Sequence, residues 1–241
     1  MQLKVLGSSS SGNGYVIQSE TEALIIEAGV GLMTVKEALK FNVMKVAGCI
    51  ISHEHGDHAK YAKFYEKVFP VHALKSVIKA HHLVSAKEVE PLRGFNLGRF
   101  SILPFTAHHD VPCVGYIVTH PEMGSLMFLT DSFYTEYSFK GVNHVMIECN
   151  YNDAALEYAI DNGATSGYMK KRLMTTHMEL ETTKKVLLMQ DQSSLQTVTI
   201  LHLSADNSDE REMVDQLSRA TGKRIYVARK GLTIDLNLIP Y

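Results

Sequence analysis

The stretch Val46-Ala47-Gly48-Cys49-Ile50-Ile51-Ser52-His53-Glu54-His55-Gly56-Asp57-His58 decides the reading of this chain. Its first half is an apolar run of strand length. Its second half packs three imidazoles and the Asp57 carboxylate into the six residues of an HxHxDH pattern, at the point where the strand must end. Nitrogen and carboxylate donors suit zinc, and also manganese or iron. So tight a spacing lets one loop present donors in two directions, His53 and His55 toward one ion, Asp57 and His58 toward another. A solvated polar loop with incidental histidines is the bland reading, and the density of donors directly after a buried strand weighs against it.

Two ions need more donors, ideally with one carboxylate shared between them. The chain supplies them after other apolar runs. Phe105-Thr106-Ala107 leads into His108-His109-Asp110, Met127-Phe128-Leu129 into Thr130-Asp131-Ser132, and Ile200-Leu201 into His202. His177 stands in Thr175-Thr176-His177-Met178-Glu179. Each alone reads as a surface or satisfied core residue. Their ordered recurrence is what points to a metal centre.

Composition sets the limits. The 241 residues suit one domain over 1–241, with 45% hydrophobic and 21% charged residues. A net charge of -2 argues against a general polyanion-binding coat, while leaving room for a local basic patch. Tryptophan is absent, so base stacking would fall to the 11 Tyr and 9 Phe. Three dispersed cysteines, Cys49, Cys113 and Cys149, have no CxxC spacing and read as buried free thiols of a reducing compartment. Met1 to Val5 lacks the layout of a secretion signal, and no apolar run has membrane-spanning length, so a cytoplasmic protein is expected. The 12 histidines are the oddity.

Periodicity predicts strands at 3–6, 15–18, 23–27, 46–52, 68–73, 95–100, 101–107, 114–120, 125–130, 142–148, 198–203, 224–228 and 232–238. Helices are predicted at 34–41, 58–67, 76–82, 153–162, 166–174, 180–191 and 208–221, the last ended by Gly222 as its cap. A Ser/Gly/Asn loop fills 8–14. The order is a rough doubling of strands and helices. Two sheets packed face to face with helices outside would accommodate it.

With these residues in view, the chain resembles the metallo-β-lactamase superfamily, in which HxHxDH is followed in order by a lone His, a bridging Asp and a final His. Within it the chain is most similar to the YycJ/WalJ-type branch, described as DNA exonucleases. The branch resemblance rests on Leu6-Gly7-Ser8-Ser9-Ser10-Ser11-Gly12-Asn13, Glu148-Cys149-Asn150, Lys170-Lys171-Arg172-Leu173 ahead of His177, and His202-Leu203-Ser204-Ala205-Asp206-Asn207. It implies a four-layer αββα fold of two facing mixed sheets flanked by helices. It implies two divalent ions, Zn2+ or Mn2+ with iron as a further choice. One would take His53, His55 and His109, the other Asp57, His58 and His202, with Asp131 bridging. His109 is preferred over His108 because Asp110 follows it directly, as in the family, and His108 would support from behind. A homodimer would be in keeping with the superfamily. One departure stands out: the family's Asp-Ala-Gly is here Glu27-Ala28-Gly29, so Glu27 either orients a ligand from a shifted backbone or has lost that contact.

The expected chemistry is hydrolysis of a phosphodiester, with nucleic acid or a nucleotide as substrate. Two ions ~3.5–4 Å apart would share a water and lower its pKa. Asp57 would hold a metal and orient the resulting hydroxide, and His177 would protonate the leaving alkoxide. His177 as a cap or surface residue is the plainer reading. Lys171 and Arg172 either contact phosphates or form a solvated helix face. Ser9 and Asn13 either donate into the site or make a tight turn. Asn207 orients His202, binds substrate or caps a helix. The competing functions are a cyclic-nucleotide phosphodiesterase, an acyl hydrolase such as a lactamase or thioesterase, and a non-enzymatic metal-binding interaction module.

Overall fold

A computed structural model describes residues 1–204 and 207–238, with the backbone alone at 167 and 169. Ala205 and Asp206 of the segment after His202 lie outside the described residues. The chain forms two compact units, residues 1–106, 111–124 and 228–241 in the first, residues 107–110 and 125–227 in the second.

In the first unit the chain runs β1 (Gln2–Gly7), β2 (Gly14–Gln18), β3 (Ala23–Ile26), α1 (Leu32–Ala38) and β4 (Val46–Ile51). It continues through α2 (Gly56–Ala59), α3 (Ala62–Tyr65), β5 (Val71–Ala73), α4 (Lys75–Ala80) and β6 (Lys87–Glu88). Next come β7 (Phe95–Leu97), β8 (Phe100–Ala107), whose last residue falls in the second unit, and β9 (Cys113–His120). The second unit holds β10 (Gly124–Leu129), which begins one residue earlier, then β11 (Val142–Glu148), α5 (Asp153–Asp161), α6 (Gly167–Thr176), α7 (Leu180–Met189), β12 (Thr197–Leu201), α8 (Glu210–Thr221) and β13 (Arg224–Val227). The closing strand β14 (Thr233–Asp235) belongs to the first unit.

There are two mixed seven-stranded sheets. The first has the order β14-β1-β2-β3-β4-β5-β6. It is antiparallel from β14 to β3 and parallel from β3 to β6. The second repeats that division: β7 and β8 pair antiparallel, while β10, β11, β12 and β13 run parallel. The doubling expected from the sequence is thus a doubling of sheet type. Strands β2 and β3 are buried on both faces, as the apolar runs Tyr15-Val16-Ile17 and Ala23-Leu24-Ile25-Ile26 require. Val16, Ile25, Cys49, Ile51 and Val71 form a common core with Val35 of α1 and Tyr65 of α3. All three cysteines are free and buried. Burial pushes the Cys49 thiol well up, and the Cys149 thiol up to about 12.

One predicted helix is broken. In place of a continuous helix over 58–67 the chain makes α2 and α3, with Tyr61 between them. A continuous helix would send Tyr61 N–H to the Asp57 carbonyl. That carbonyl instead accepts from Asn13 N–H at 2.7 Å, and Tyr61 N–H donates to Ala28 O at 2.9 Å. Ala28 N–H takes the His58 carbonyl at 2.7 Å. The loops before β2 and after β3 therefore intercept the helix ladder and clamp the Asp57-His58 backbone. The short strand β6 has no periodic signal in its two residues and was not predicted. Strand β5 starts three residues later than expected, just after Pro70, whose carbonyl accepts from Cys49 N–H at 2.8 Å. The Gly222 cap is left-handed, at φ 67°.

Candidate metal centre

In the first unit, parallel pairing of β3 with β4 sets Ile26 opposite Ile50. The chain beyond both strands therefore emerges side by side, and Glu27 N–H donates to Ile50 O at 2.9 Å. His53 follows β4 by two residues and is fully buried, as is His58. The ring centroids of His53 and His55 lie 4.8 Å apart, and those of His53 and His58 4.2 Å apart. Three imidazoles this close offer neighbouring nitrogen donors that suit a cation between them. Ser52 Oγ is hydrogen-bonded to His53 Nδ1 at 2.9 Å. Such a contact fixes the ring and makes Nε2 the nitrogen available for coordination.

Glu27 resolves the departure noted in the sequence. It is fully buried, its backbone is left-handed at φ 68°, and its carboxylate lies 3.6 Å from His58 Nδ1. It also accepts from Ser52 N–H at 3.3 Å. The extra methylene is accommodated by the turned backbone, and the contact to a candidate ligand is present. Asn13, read in the sequence either as a donor into the site or as part of a tight turn, is buried. Its amide donates to Asp57 Oδ2 at 3.2 Å and lies 3.0 Å from His58 Nε2, so it stands behind these two side chains. Ser9 is half-buried and hydrogen-bonds to Ser11 across the turn at 2.7 Å.

In the second unit, parallel strands bring three carboxyl ends together. Leu129 is opposite Ile147, and Glu148 is opposite Leu201. Asp131, Glu148 and His202 sit at those ends, and His177 comes from the C-terminus of α6. Their ligand atoms all lie within 4.8 Å of one another. Asp131 and His202 hold left-handed backbones at φ 47° and 55°. Non-glycine residues rarely do so, and such strain concentrates where a side chain must be aimed.

Glu148 is the hub, and sequence reasoning gave it a place in a motif but no role. It is fully buried. His177 Nδ1–H donates to its Oε1 at 2.6 Å, and His202 Nδ1 lies 3.3 Å from the same oxygen. Backbone N–H groups of Ser132 and Met178 donate to Oε2 at 3.1 and 3.3 Å. Burial alone would push this carboxyl up. The His177 charge and the bonds from His177 and His202 outweigh it and hold the group below the usual carboxylate range. Burial likewise opposes protonation of His177, but the Glu148 carboxylate and then Asp131 raise it above an ordinary histidine. The signal that could have found Glu148 was an acid ending the apolar strand Val145-Met146-Ile147, a position shared with the other candidates.

His109 is turned inward, its side chain only 2% exposed, with Nδ1–H donating to Thr176 O at 3.1 Å. His108 is 38% exposed and pairs with Glu136 at 2.7 Å. His177 stacks against His202 with centroids 5.4 Å apart and lies 6.2 Å from His109. Lys171 and Arg172 are exposed on α6, whereas Lys170 pairs with Glu157. Asn207 is buried and bonds to Ser204 Oγ at 3.0 Å and Thr165 Oγ1 at 2.7 Å, and the cap of α8 is Asp209. Glu179 caps α7, accepting from Glu181 and Thr182 N–H.

The second unit's Asp131, Glu148, His177 and His202 fit a divalent ion in donor type, burial and spacing, and the imidazoles and carboxylate of His53, His55, Asp57 and His58 fit one in donor type. No helix among the described residues is long and apolar enough to cross a membrane.

Comparison with known proteins agrees. Residues 9–138, more than half of the chain, match the family model of the metallo-beta-lactamase superfamily. The chain is 25% identical over 228 residues to the exodeoxyribonuclease YycJ of Bacillus anthracis, covering 86% of this chain and 84% of that one. Among solved structures it resembles the metallo-beta-lactamase fold protein YhfI from Bacillus subtilis, with a TM-score of 0.71 at 16% identity over 97% of this chain and 99% of that one. It also resembles a diphosphatase of the PhnP family, with a TM-score of 0.67 at 16% identity over 97% and 96% of the two chains. These likenesses carry the fold, and the fold, the family match and the donor groups lead to one conclusion: the chain belongs to the metallo-beta-lactamase superfamily and is a metal-dependent hydrolase.

Proposed function

We propose that this hydrolase cleaves phosphodiester bonds, as a DNA nuclease of the 5′-exonuclease type. The observation that carries the reading is the His177–Glu148 pair at 2.6 Å, stacked on His202. A thioester hydrolase has less need of a protonated imidazole held by a buried carboxylate, because a thiolate leaves without a proton. An alkoxide leaving a phosphodiester must acquire a proton. The likeness to an exodeoxyribonuclease over most of the chain supports the same substrate class.

His53, His55 and His109 would hold one divalent ion, Asp57, His58 and His202 the other, with Asp131 shared. Zn2+ or Mn2+ is favoured by the donors, with iron next. When bound, the ions would supply Lewis acidity to the phosphate oxygens. The protein's own work is positional. Ser52 and Glu27 set the His53 and His58 rings, and Asn13 sets Asp57. Asp57 orients the attacking water. His177, with its Nδ1–H committed to Glu148, hands over the proton on Nε2. Lys171 and Arg172 lie exposed on the helix leading to His177 and would meet neighbouring phosphates. Ser9 would complete the substrate surface, while Asn207, buried and bonded to Ser204 and Thr165, would hold the segment after His202.

The test is a panel of single-stranded DNA, duplex DNA with different 5′ ends, RNA, a cyclic nucleotide and a thioester, each with Zn2+ or Mn2+. DNA shortened from the 5′ end is the expected outcome, abolished by Asp57→Ala. Turnover of the thioester with no cleavage of any phosphodiester would overturn the reading.

A further inference from the structure

Two loops of the second unit, after β8 and after β10, each carry a candidate ligand and an aromatic ring open to solvent. His108 directly precedes His109, and Phe133 and Tyr134 follow Asp131 by two and three residues. Phe133 is 39% exposed and Tyr134 41%. The His108 ring, itself partly exposed, lies 5.7 Å from that of Phe133 and 6.4 Å from that of Tyr134, within 24° of parallel to the latter. The three rings make one continuous π surface beside Asp131 and His109.

Polar groups beneath the rings hold that surface in place. Ser132 is fully buried. Its hydroxyl donates to Tyr134 O at 2.6 Å and accepts from His108 N–H at 2.9 Å. Phe133 N–H donates to His108 O at 3.1 Å, and Ser132 N–H donates to Glu148 Oε2 at 3.1 Å. The backbone under all three rings is thus tied to the backbone at His109 and Asp131 and to the buried Glu148.

Size and charge select what the rings can receive. Phe133 and Tyr134 together expose on the order of 150 Å². A stable protein partner covers about 800 Å² on each side, so two rings are far too little for one. His108 is paired with Glu136 at 2.7 Å, and a phosphate approaching this patch would meet that carboxylate. A neutral planar heterocycle meets no such repulsion and gains the ring faces.

We infer that His108, Phe133 and Tyr134 form a stacking platform for one nucleobase of the substrate strand, next to the phosphate that is cleaved. The inference rests on the phosphodiesterase reading for bringing a nucleic-acid strand to the site. It gives the stacking role to Phe and Tyr in a chain without Trp. Stacking of this kind tolerates any base but needs one released from its pair. The platform therefore sets a preference for single-stranded or frayed ends over blunt duplex ends.

The probes are single-stranded tetranucleotides with phosphorothioate linkages, intact or lacking one base at each position in turn. They are titrated calorimetrically into manganese-loaded wild type and the F133L/Y134L variant, which keeps apolar bulk over the buried ring faces. The variant should melt with wild type and bind the intact strand about 5- to 150-fold more weakly, the worth of a stacked base. At one position, loss of the base should weaken wild type by a similar factor and the variant not at all. The slope against log salt should be the same in both proteins, because no phosphate contact is lost. Phe133→Tyr keeps the ring and should bind as wild type does. Equal affinity of wild type and F133L/Y134L, or equal losses from base removal in both at every position, would overturn the platform, as would a wild type that binds no strand. A wild-type dimer that F133L/Y134L turns into monomers, with strand binding unchanged, would give the rings to a second copy of the chain and overturn it too. Base-dependent binding lost in the variant, with a wild type that hydrolyses no phosphodiester, would keep the platform and remove the proposed activity instead.

Discussion

His177 Nδ1–H donates to Glu148 Oε1 at 2.6 Å, in a place where Glu148 is fully buried and also touches His202. The carboxylate thus serves two imidazoles at once, raising one and orienting the other. Glu148→Gln keeps the volume and removes the charge. It should lower kcat about 100-fold or more, the usual worth of a positioned general acid, with a smaller change in KM. The alkaline limb of the pH profile, where His177 loses the proton it must donate, should move down in pH, since the Glu148 charge that raises its pKa is gone. A Glu148→Gln enzyme with wild-type kcat and an unmoved profile would remove His177 and Glu148 from the reaction.

Glu27 lies 3.6 Å from His58 Nδ1 with no exposure to solvent. A group that aims a metal-binding histidine contributes to affinity without touching the metal, typically by 10–100-fold, or about 1.4–3 kcal/mol. Glu27→Gln should therefore weaken metal retention by about that factor when read by competition with a chelator, while melting of the metal-free protein changes little. Equal retention in wild type and variant would show that His58 needs no such support.

The candidate donor loops were legible because their His and Asp residues follow apolar runs at strand ends, and strand ends are where side chains leave the sheet. His53, Asp131 and His202 could be found this way. The break at Tyr61 could not, because it depends on Asn13 and Ala28 bonding to backbone groups more than thirty residues away along the chain. Local periodicity carries no trace of such a competitor. Glu148 was hidden for a related reason. A single acid after Val145-Met146-Ile147 looks like the end of a strand, and only parallel pairing with β10 and β12 sets it among Asp131 and His202. Asn13 was open in the sequence between a tight turn and a donor into the site, and only the folded chain sets its amide against Asp57 and His58.

The clamp on the Asp57 backbone gives a sharp contrast between two neighbouring glycines. A Cβ at Gly29 would lie 1.7 Å from Asp57 O, with backbone as the obstacle. A Cβ at Gly31 would meet nothing within 4 Å, and Gly31 has an ordinary φ of -60°. Gly29→Ala should cost about 3 kcal/mol or more, or prevent folding, since neither backbone can yield. Gly31→Ala should be neutral or stabilise by up to about 1 kcal/mol through the unfolded chain. Denaturant midpoints measure both. A Gly29→Ala protein as stable as Gly31→Ala would mean the loop contact is not a constraint.

His72 offers a prediction about pH that is independent of any metal. It sits in β5, 6% exposed, stacked on Phe95 at 4.9 Å and paired across the strand with Lys87. Burial, then the Lys87 charge, lowers its pKa from 6.5 to about 4. Between those values the unfolded chain binds a proton that the folded chain refuses, so its contribution is present above pH 6.5 and lost as pH falls toward 4. The Phe95 ring would retain part of the attraction for a charged imidazole, which leaves a loss on the order of 2 kcal/mol. Replacing His72 by Phe removes the titrating group while keeping an aromatic ring in the buried position. Unfolding free energies of wild type and His72→Phe, compared from pH 7 to pH 4, should diverge by that amount, with wild type falling more steeply. Parallel curves across the interval would place the acid sensitivity of this strand elsewhere.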